Sequence, residues 1–163
     1  MKTIKIKKVL IAMDYNPTAQ KVAEIGYSIA KDMEAEVTLL HIISNPVYYS
    51  STEYSPIMGF TGINEGVPFQ MQLETIEGLT NASQYFLDKT KKHLGDKTIQ
   101  TLVKEGDFVE TILKTAKSMH VDFIVMGSHS QKWLENIFMG SVTQEVLNQT
   151  TIPVLIIPTK HRK

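Results

Sequence analysis

Short apolar runs recur along the chain and mark the positions of buried strands. The first run, Val9–Met13, is continuously apolar and is followed directly by the polar residue Asp14. A run this short, bounded by turn-forming residues, is typical of a strand that is buried on both faces. Similar or alternating runs predict four further strands at Glu36–Ile43, Thr98–Val103, Asp122–Met126 and Ile152–Ile157. Pro153 places the last strand at a sheet edge, because proline cannot donate a ladder hydrogen bond.

After the first strand the apolar residues change to helical spacing. Residues three and four positions apart predict one buried helical face, formed by Ala19, Val22, Ala23, Gly26, Ala30 and Met33. Asn16 and Pro17 precede this face as the predicted N-cap and first-turn residue. A second helix is predicted to end near Gly95. Its buried face is predicted to contain Leu73, Ile76, Leu79, Ser83, Phe86 and Leu87.

Two more helices are predicted in the second half of the chain. One begins at Asp107, where Glu110 completes the spacing of a capping box. Its apolar face consists of Val109, Ile112, Leu113 and Ala116. A short helix then covers Ser141–Asn148. Strands that alternate with helices predict right-handed crossovers, and therefore an open, mostly parallel α/β sheet with helices on both faces.

The length of the chain and one irregular segment define the domain organisation. The 163 residues suit one compact domain, which we expect to cover residues 1–163. Segment 44–68 has no period, is rich in proline, glycine and tyrosine, and is predicted to be a long loop within that domain. In open parallel sheets, ligands bind beyond the carboxyl ends of the strands, where the strand order reverses. Asp14 and Gly127 follow two such ends and are the first candidates for a site.

Composition excludes several classes of function. Lys plus Arg number 17 and balance 17 Asp plus Glu, so we expect neither nucleic acid nor a membrane as a partner. The absence of cysteine excludes disulfides, thiolate metal sites and a cysteine nucleophile. The five histidines show no metal-ligand spacing, so we expect no metal held directly by the protein. With no apolar run near the ~20 residues of a membrane span, we expect a cytoplasmic protein.

The segment between the fourth strand and the last helix carries the strongest chemical signal. Gly127 begins a polar turn, and Gly140 follows thirteen residues later, directly before Ser141. Glycine lets a backbone approach a ligand closely, and a helix start supplies N–H groups and a dipole for an anion. Ser141 also opens a Ser-Val-Thr-Gln capping box, a structural role that is compatible with phosphate binding. Asp14 has a structural alternative as well, as a turn residue at a strand end.

At these residues the chain resembles the ATP-binding branch of the universal stress protein (UspA-like) family. The family motif is Gly, two residues, Gly, nine residues, then Gly followed by Ser or Thr. Gly127, Gly140 and Ser141 match in place, whereas Ser130 stands at the second glycine. The resemblance spans nearly the whole chain, since it also covers Asp14, Gly106 and Pro153–Ile157.

The resemblance implies a Rossmann-like sheet of the adenine-nucleotide α-hydrolase type, with strand order 3-2-1-4-5. It implies that ATP, or ADP or AMP in its place, is the ligand, with Mg²⁺ bound only through the phosphates. It further implies a homodimer formed through Pro153–Ile157. The nucleotide-binding residues implied by the family are Asp14 at the ribose or adenine, Met126 at the adenine, Gly127, His129, Ser130 and Lys132 around the phosphates, and Gly140, Ser141 and Val142 at the helix end.

Three functions are consistent with the sequence. The first is a regulatory homodimer in stress response that responds to bound ATP and acts on protein partners the sequence does not identify. The second is a dimerisation module of the same fold that binds no nucleotide, which Ser130 favours. The third is a slow ATPase or a nucleotide-dependent transferase. We expect no catalytic residue, because the sequence contains no Gly-x-x-x-x-Gly-Lys loop, no Gly-x-Ser-x-Gly elbow and no paired carboxylates.

Overall fold

The computed structural model describes residues 1–14, 18–44, 76–128 and 141–159. The described elements, in chain order, are β1 (Lys8–Met13), α1 (Ala19–Asp32), β2 (Glu36–Ile43), α2 (Ile76–Leu94), β3 (Gln100–Glu105), α3 (Phe108–Ser118), β4 (Phe123–Gly127), α4 (Ser141–Gln149) and β5 (Val154–Ile157). The five strands form one sheet in the order β3-β2-β1-β4-β5, and all four pairings are parallel. The predicted α/β class and strand order are therefore confirmed.

Side chains of each central strand alternate between two hydrophobic cores, one on each face of the sheet. On the first face, which we call the α1–α2 face, Val9 and Ile11 of β1 pack with residues of α1 and α2. On the second, the α3–α4 face, Leu10 of β1 packs with Ile112 of α3 and Val146 of α4. Burial on both faces explains why the strands appear in the sequence as continuous apolar runs.

Helix α1 lies close against the sheet at Gly26. A Cβ atom on this glycine would lie 2.9 Å from Val125 Cγ1 and 3.1 Å from Ile11 Cδ1. Only glycine fits this approach without a shift of its neighbours. Tyr27, the next residue, is also buried, and its hydroxyl donates a 2.9 Å hydrogen bond to Asp96 Oδ2 in the turn after α2. These contacts fix α1 relative to β1 and β4, the two strands whose carboxyl ends carry the candidate site.

The start of α3 is built by a glycine and a capping aspartate. Gly106 adopts φ +141°, and its N–H donates to the Ile43 carbonyl at 3.0 Å. Asp107 is the N-cap of α3, and its Oδ1 accepts a 2.9 Å hydrogen bond from the Glu110 N–H. The predicted cap at Asp107 is confirmed. Because such a bond satisfies an otherwise unpaired helix N–H, the aspartate sets where α3 begins.

Two predictions of buried helical residues are wrong. Met33 was placed on the buried face of α1, but the helix ends at Asp32 and Met33 is 42% exposed as its C-cap. Ile76 was placed on the buried face of the second helix, but it is the first residue of α2 and is 40% exposed. Each residue lies at one end of the described helix, where the helical pattern of apolar residues no longer reports burial.

Several predicted boundaries also differ from the structure. The third strand is Gln100–Glu105 rather than 98–103, because Thr98 belongs to a turn in which its N–H and hydroxyl bond to Asp96 Oδ1. The last strand begins at Val154, at the sheet edge as predicted. Helix α1 begins at Ala19, and the predicted cap residues 16 and 17 lie outside the described residues. Most of the predicted loop 44–68 lies outside them as well.

No helix within residues 1–14, 18–44, 76–128 and 141–159 is both long and apolar enough to cross a membrane.

Candidate functional site

The strand order reverses between β1 and β4, which are neighbours at the centre of the sheet. Strand β1 pairs with β2 on one side and with β4 on the other, in the register Ile11↔Val125 for the second pair. Asp14 directly follows β1, and Gly127 is the last residue of β4. The fold therefore brings the two predicted strand ends to the same edge, at the place where open parallel sheets bind ligands.

Buried apolar side chains, among them Met126 and Ile42, lie beneath this edge on the α3–α4 face of the sheet, and we call them the apolar floor. Met126 is 5% exposed and belongs to the same cluster as Ile42 of β2, with Leu10 and Ile124 deeper in the core. Asp14 is half-buried and follows Leu10 and Ala12 in the alternation of β1, so we expect its carboxylate on the same face of the sheet as Met126. An apolar surface next to a single polar group suits a flat base attached to a polar sugar. Ile42 was not predicted, although its position near the end of a central strand is the signal that could have indicated it.

Gly127 and Ser128, at the end of β4, form hydrogen bonds to α4 and to residues at and after the end of β5. Thr143 Oγ1 donates to the Gly127 carbonyl at 3.0 Å, and Thr143 is only 4% exposed. The Ser128 N–H donates to the Ile157 carbonyl at 2.9 Å, and Ser128 Oγ accepts from the Thr159 N–H at 3.1 Å. The first turn of α4 is therefore fixed against the end of β4, which positions the helix start at the candidate site.

The N-terminus of α4 provides the anion-binding part of the arrangement. The helix begins at Ser141, which is exposed, and its first turn contains no acidic residue. Unpaired N–H groups and the helix dipole give this end a partial positive charge, so a phosphate placed here would be stabilised. The neighbouring residue, Val142, is half-buried and packs against the α3–α4 core.

A cleft of about 510 Å³ adjoins this helix start, between α3 and α4. Its lining consists of Asp107, Val109 and Glu110 from the start of α3, and Ser141, Val142, Glu145 and Gln149 from α4. Three of these residues are carboxylates, and only one of them, Glu110, forms an ion pair within the described ranges, with Lys114. Since carboxylates repel phosphate, an anion is favoured at the first turn of α4 rather than deeper in the cleft.

His41 lies at the same edge, on the opposite side of β1. Its imidazole is 2% exposed, and Nδ1 donates a 2.8 Å hydrogen bond to the carbonyl of Met13, the last residue of β1. Burial lowers the pKa of His41 from 6.5 to about 4, while the bond to Met13 opposes this effect. The ring is therefore neutral near pH 7. From the sequence, His41 was only one of five histidines without metal-ligand spacing.

The structure places five of the nine predicted site residues at this one edge. Asp14, Met126 and Gly127 are there because they end adjacent strands, and Ser141 and Val142 are there because the Thr143 bond holds α4 against β4. The remaining four, His129, Ser130, Lys132 and Gly140, lie outside the described residues. Among the residues that the structure describes, no group of three or more His, Cys, Asp or Glu side chains could hold a metal ion.

Comparison with known proteins gives a full-length match. The sequence model of the universal stress protein family matches residues 5–158 of the chain. Universal stress protein MJ0577 of Methanocaldococcus jannaschii is 31% identical over 162 residues, which cover 98% of this chain and 99% of MJ0577. A solved structure of MJ0577 superposes with a TM-score of 0.70 at 27% identity, covering 98% of this chain and 100% of the other.

Two further solved structures, at lower identity, support the fold of this chain. A universal stress protein in complex with cAMP superposes with a TM-score of 0.63 at 15% identity, covering 96% of this chain and all of the other. A member of the family from Arabidopsis thaliana with AMP bound gives a TM-score of 0.55 at 18% identity, covering 94% of this chain and 92% of the other.

Proposed function

The chain belongs to the universal stress protein family, and we propose that it is a single-domain protein that binds an adenine nucleotide, ATP in the first place, and acts as a nucleotide-responsive regulatory homodimer in stress response. One observation carries this proposal. The bond from Thr143 to the Gly127 carbonyl holds the start of α4 at the end of β4, which pairs with β1, so that a helix N-terminus, an apolar floor and the carboxylate of Asp14 share one edge of the sheet. These are the three surfaces that a base, a ribose and a phosphate chain need.

Each part of the nucleotide has a proposed partner. The adenine packs on Met126, a ribose hydroxyl donates to Asp14, and the phosphates accept from the N–H groups at the start of α4. The described phosphate-side residues in this proposal are Gly127, Ser141 and Val142; the sequence motif adds His129, Ser130, Lys132 and Gly140. Mg²⁺ is proposed to bind through the phosphates alone, and it supplies charge neutralisation there.

The ligands of two relatives support the choice of an adenine nucleotide. The proteins with cAMP and with AMP share this fold, and their ligands share adenine, ribose and a phosphate with ATP. The alternative function, a dimerisation module without nucleotide, is favoured by Ser130 in the place of the second motif glycine. A serine Cβ restricts a left-handed turn that glycine permits. Nucleotide titration separates the two functions directly.

We expect Gly140→Val to lower ATP affinity at least tenfold and Asp14→Ala to lower it less. A branched side chain at Gly140 fills space that the motif keeps open for phosphate, and tenfold corresponds to ~1.4 kcal/mol. Asp14 contributes one hydrogen bond, which accounts for about 0.5 to 1.5 kcal/mol. Calorimetric titration measures both affinities, with Asp32→Ala at the far end of α1 as the matched carboxylate control. A larger loss at Asp14 than at Gly140 contradicts this assignment of binding energy.

We propose that the homodimer forms through β5, which pairs with β4 on one side and is the edge of the described sheet on the other. Val154, Leu155 and Ile156 are only half-buried in the single chain, so a twofold contact would cover both the apolar side chains and the unpaired backbone. This surface is continuous with the carboxyl edge of the sheet, because β5 ends at Ile157, which bonds to Ser128.

Val154→Glu with Ile156→Glu is expected to halve the mass measured by light scattering, because two charges at the β5 edge oppose the pairing of two copies. Gln100→Glu with Lys104→Glu places two glutamates on the opposite edge strand and is the matched control, which should keep the dimer mass. Circular dichroism checks that each variant is folded. A folded β5 variant that keeps the dimer mass would move the interface elsewhere, with segment 44–68 as the next candidate.

A further inference from the structure

We propose that His41 is a positioning residue of the nucleotide site, which fixes Asp14 through the last carbonyl of β1. This inference rests on the proposed function, since it explains how one of the binding residues is held. His41 is not proposed to contact the nucleotide, and it is not a catalytic residue. Its side chain acts on the backbone that carries Asp14, so it would set affinity without adding a contact of its own.

The bond from His41 lies at the end of the paired region of β1 and β2. Met13 and His41 are the last paired residues of β1 and β2, and β2 continues for two residues beyond this pair. At this position the imidazole Nδ1 reaches across to the Met13 carbonyl oxygen at 2.8 Å. The bond therefore holds β1 at its last residue, directly before Asp14.

The peptide unit between Met13 and Asp14 is planar. The Met13 carbonyl oxygen lies in one rigid plane with the nitrogen and Cα of Asp14, because the peptide bond does not rotate freely. A bond that fixes this oxygen fixes the plane, and with it the starting point of the Asp14 side chain. The bond to Met13 is thus a constraint on Asp14 itself, although His41 and Asp14 extend toward opposite faces of the sheet in the strand alternation.

The buried imidazole of His41 constrains the Met13 carbonyl closely. His41 is almost fully buried, so its ring has little rotational freedom. A carbonyl oxygen can only accept a hydrogen bond, so Nδ1 carries the proton in the neutral ring. A ring with one defined tautomer and a fixed orientation can hold the carbonyl within a narrow range. Of the other side chains at this edge, Thr143 does the same for the Gly127 carbonyl at the end of β4.

The test is a double-mutant cycle of ATP affinity, measured by calorimetric titration on the full chain. His41→Leu removes the donor, and we expect it to weaken ATP binding about fivefold, similar to Asp14→Ala. Because both changes act through the same carboxylate, the double variant should bind ATP no more than about twofold more weakly than Asp14→Ala alone. His41→Asn keeps an N–H donor near the Nδ1 position and should restore affinity to within about twofold of the wild type.

Leu39→Ala is the matched control for a loss of stability. Leu39 is a buried residue of β2 on the same face, so its truncation lowers stability without touching the end of β1. We expect it to leave ATP affinity unchanged. Losses that multiply in the double variant, an unchanged affinity in His41→Leu, or an Asn variant as weak as the Leu variant would each overturn the proposal.

A second measurement does not depend on nucleotide. The backbone amide resonance of Asp14 in the ¹H–¹⁵N spectrum reports the orientation of the peptide plane between Met13 and Asp14. We expect it to shift in His41→Leu and to stay near its wild-type position in His41→Asn and in Leu39→Ala. An Asp14 amide that is unmoved in His41→Leu overturns the positioning role whether or not ATP binds. Absence of ATP binding in the wild type, with the shift observed, would instead refute the proposed function alone.

Discussion

Gly26→Val is expected to lower the free energy of unfolding by about 3 kcal/mol. A Cβ at this position already lies 2.9 Å from Val125 Cγ1 and 3.1 Å from Ile11 Cδ1, and valine adds two methyl groups in the same space. Both neighbours are buried in the sheet, so α1 must move away from β1 and β4. The gain in helix propensity over glycine, less than about 1 kcal/mol, is too small to offset this overpacking. Urea unfolding followed by circular dichroism measures the loss.

Two companion variants separate overpacking from other effects of the Gly26 change. Ser28→Val places the same side chain at an exposed position of α1, and its stability should stay within about 0.5 kcal/mol of the wild type. Gly26→Ala should destabilise the wild type but should be neutral or stabilising in a Val125→Ala background, where the 2.9 Å neighbour is absent. If Gly26→Val and Ser28→Val unfold at the same urea concentration, α1 does not lie against the sheet as described.

Acidification from pH 6.5 toward pH 4 is expected to lower the free energy of unfolding by up to about 3 kcal/mol through His41. Burial lowers the pKa of His41 from 6.5 to about 4 in the folded protein. Between these values the unfolded chain binds a proton that the folded chain does not, so stability falls as the pH falls. The stability that depends on a neutral His41 ring is fully present above pH 6.5 and is lost by about pH 4.

Between about pH 6.5 and pH 4.5, the change in stability comes from His41 rather than from the carboxylates. Hydrogen bonds lower the pKa values of Glu24, Asp96 and Asp122, so the stability they contribute is lost only below their ordinary values of 4.5, 3.8 and 3.8. Urea midpoints measured from about pH 7 to about pH 4.5 should therefore fall less steeply in His41→Asn than in the wild type. Equal slopes for wild type and His41→Asn would show that His41 is not buried as a neutral ring.

The fold could be predicted from sequence because a parallel sheet buried on both faces leaves continuous apolar runs. The run at Val9–Met13 differs from the strand only at its first residue, and Glu36–Ile43 matches the strand in full. The errors arise where a tertiary contact decides burial. Tyr27 was missing from the predicted face of α1, yet it is buried because its hydroxyl reaches Asp96, 69 residues away. No local pattern records that partner.

The residues of the candidate site also fall into two groups, those that the sequence predicts and those whose roles only the structure shows. Asp14 and Gly127 could be predicted because they follow strands, and Ser141 because it follows a glycine at a helix start. Thr143 and His41 could not be assigned roles, since each acts on a backbone carbonyl 16 or 28 residues away. Both bonds join elements that meet only in the folded sheet. The sequence therefore predicts which residues reach the carboxyl edge, and the structure is needed to identify the side chains that hold them there.

Calorimetric titration of the purified chain with ATP, with inorganic triphosphate as the control, tests the central proposal most directly. The apolar floor at Met126, the carboxylate of Asp14 and the helix start at Ser141 predict saturable binding of one ATP per chain, with inorganic triphosphate, which lacks the base and the ribose, bound at least tenfold more weakly. The affinity should fall at least tenfold in Gly140→Val. If no saturable heat is seen up to about 1 mM ATP, the binding free energy is weaker than about −4 kcal/mol. That result would contradict the proposed nucleotide binding and favour the dimerisation module without nucleotide.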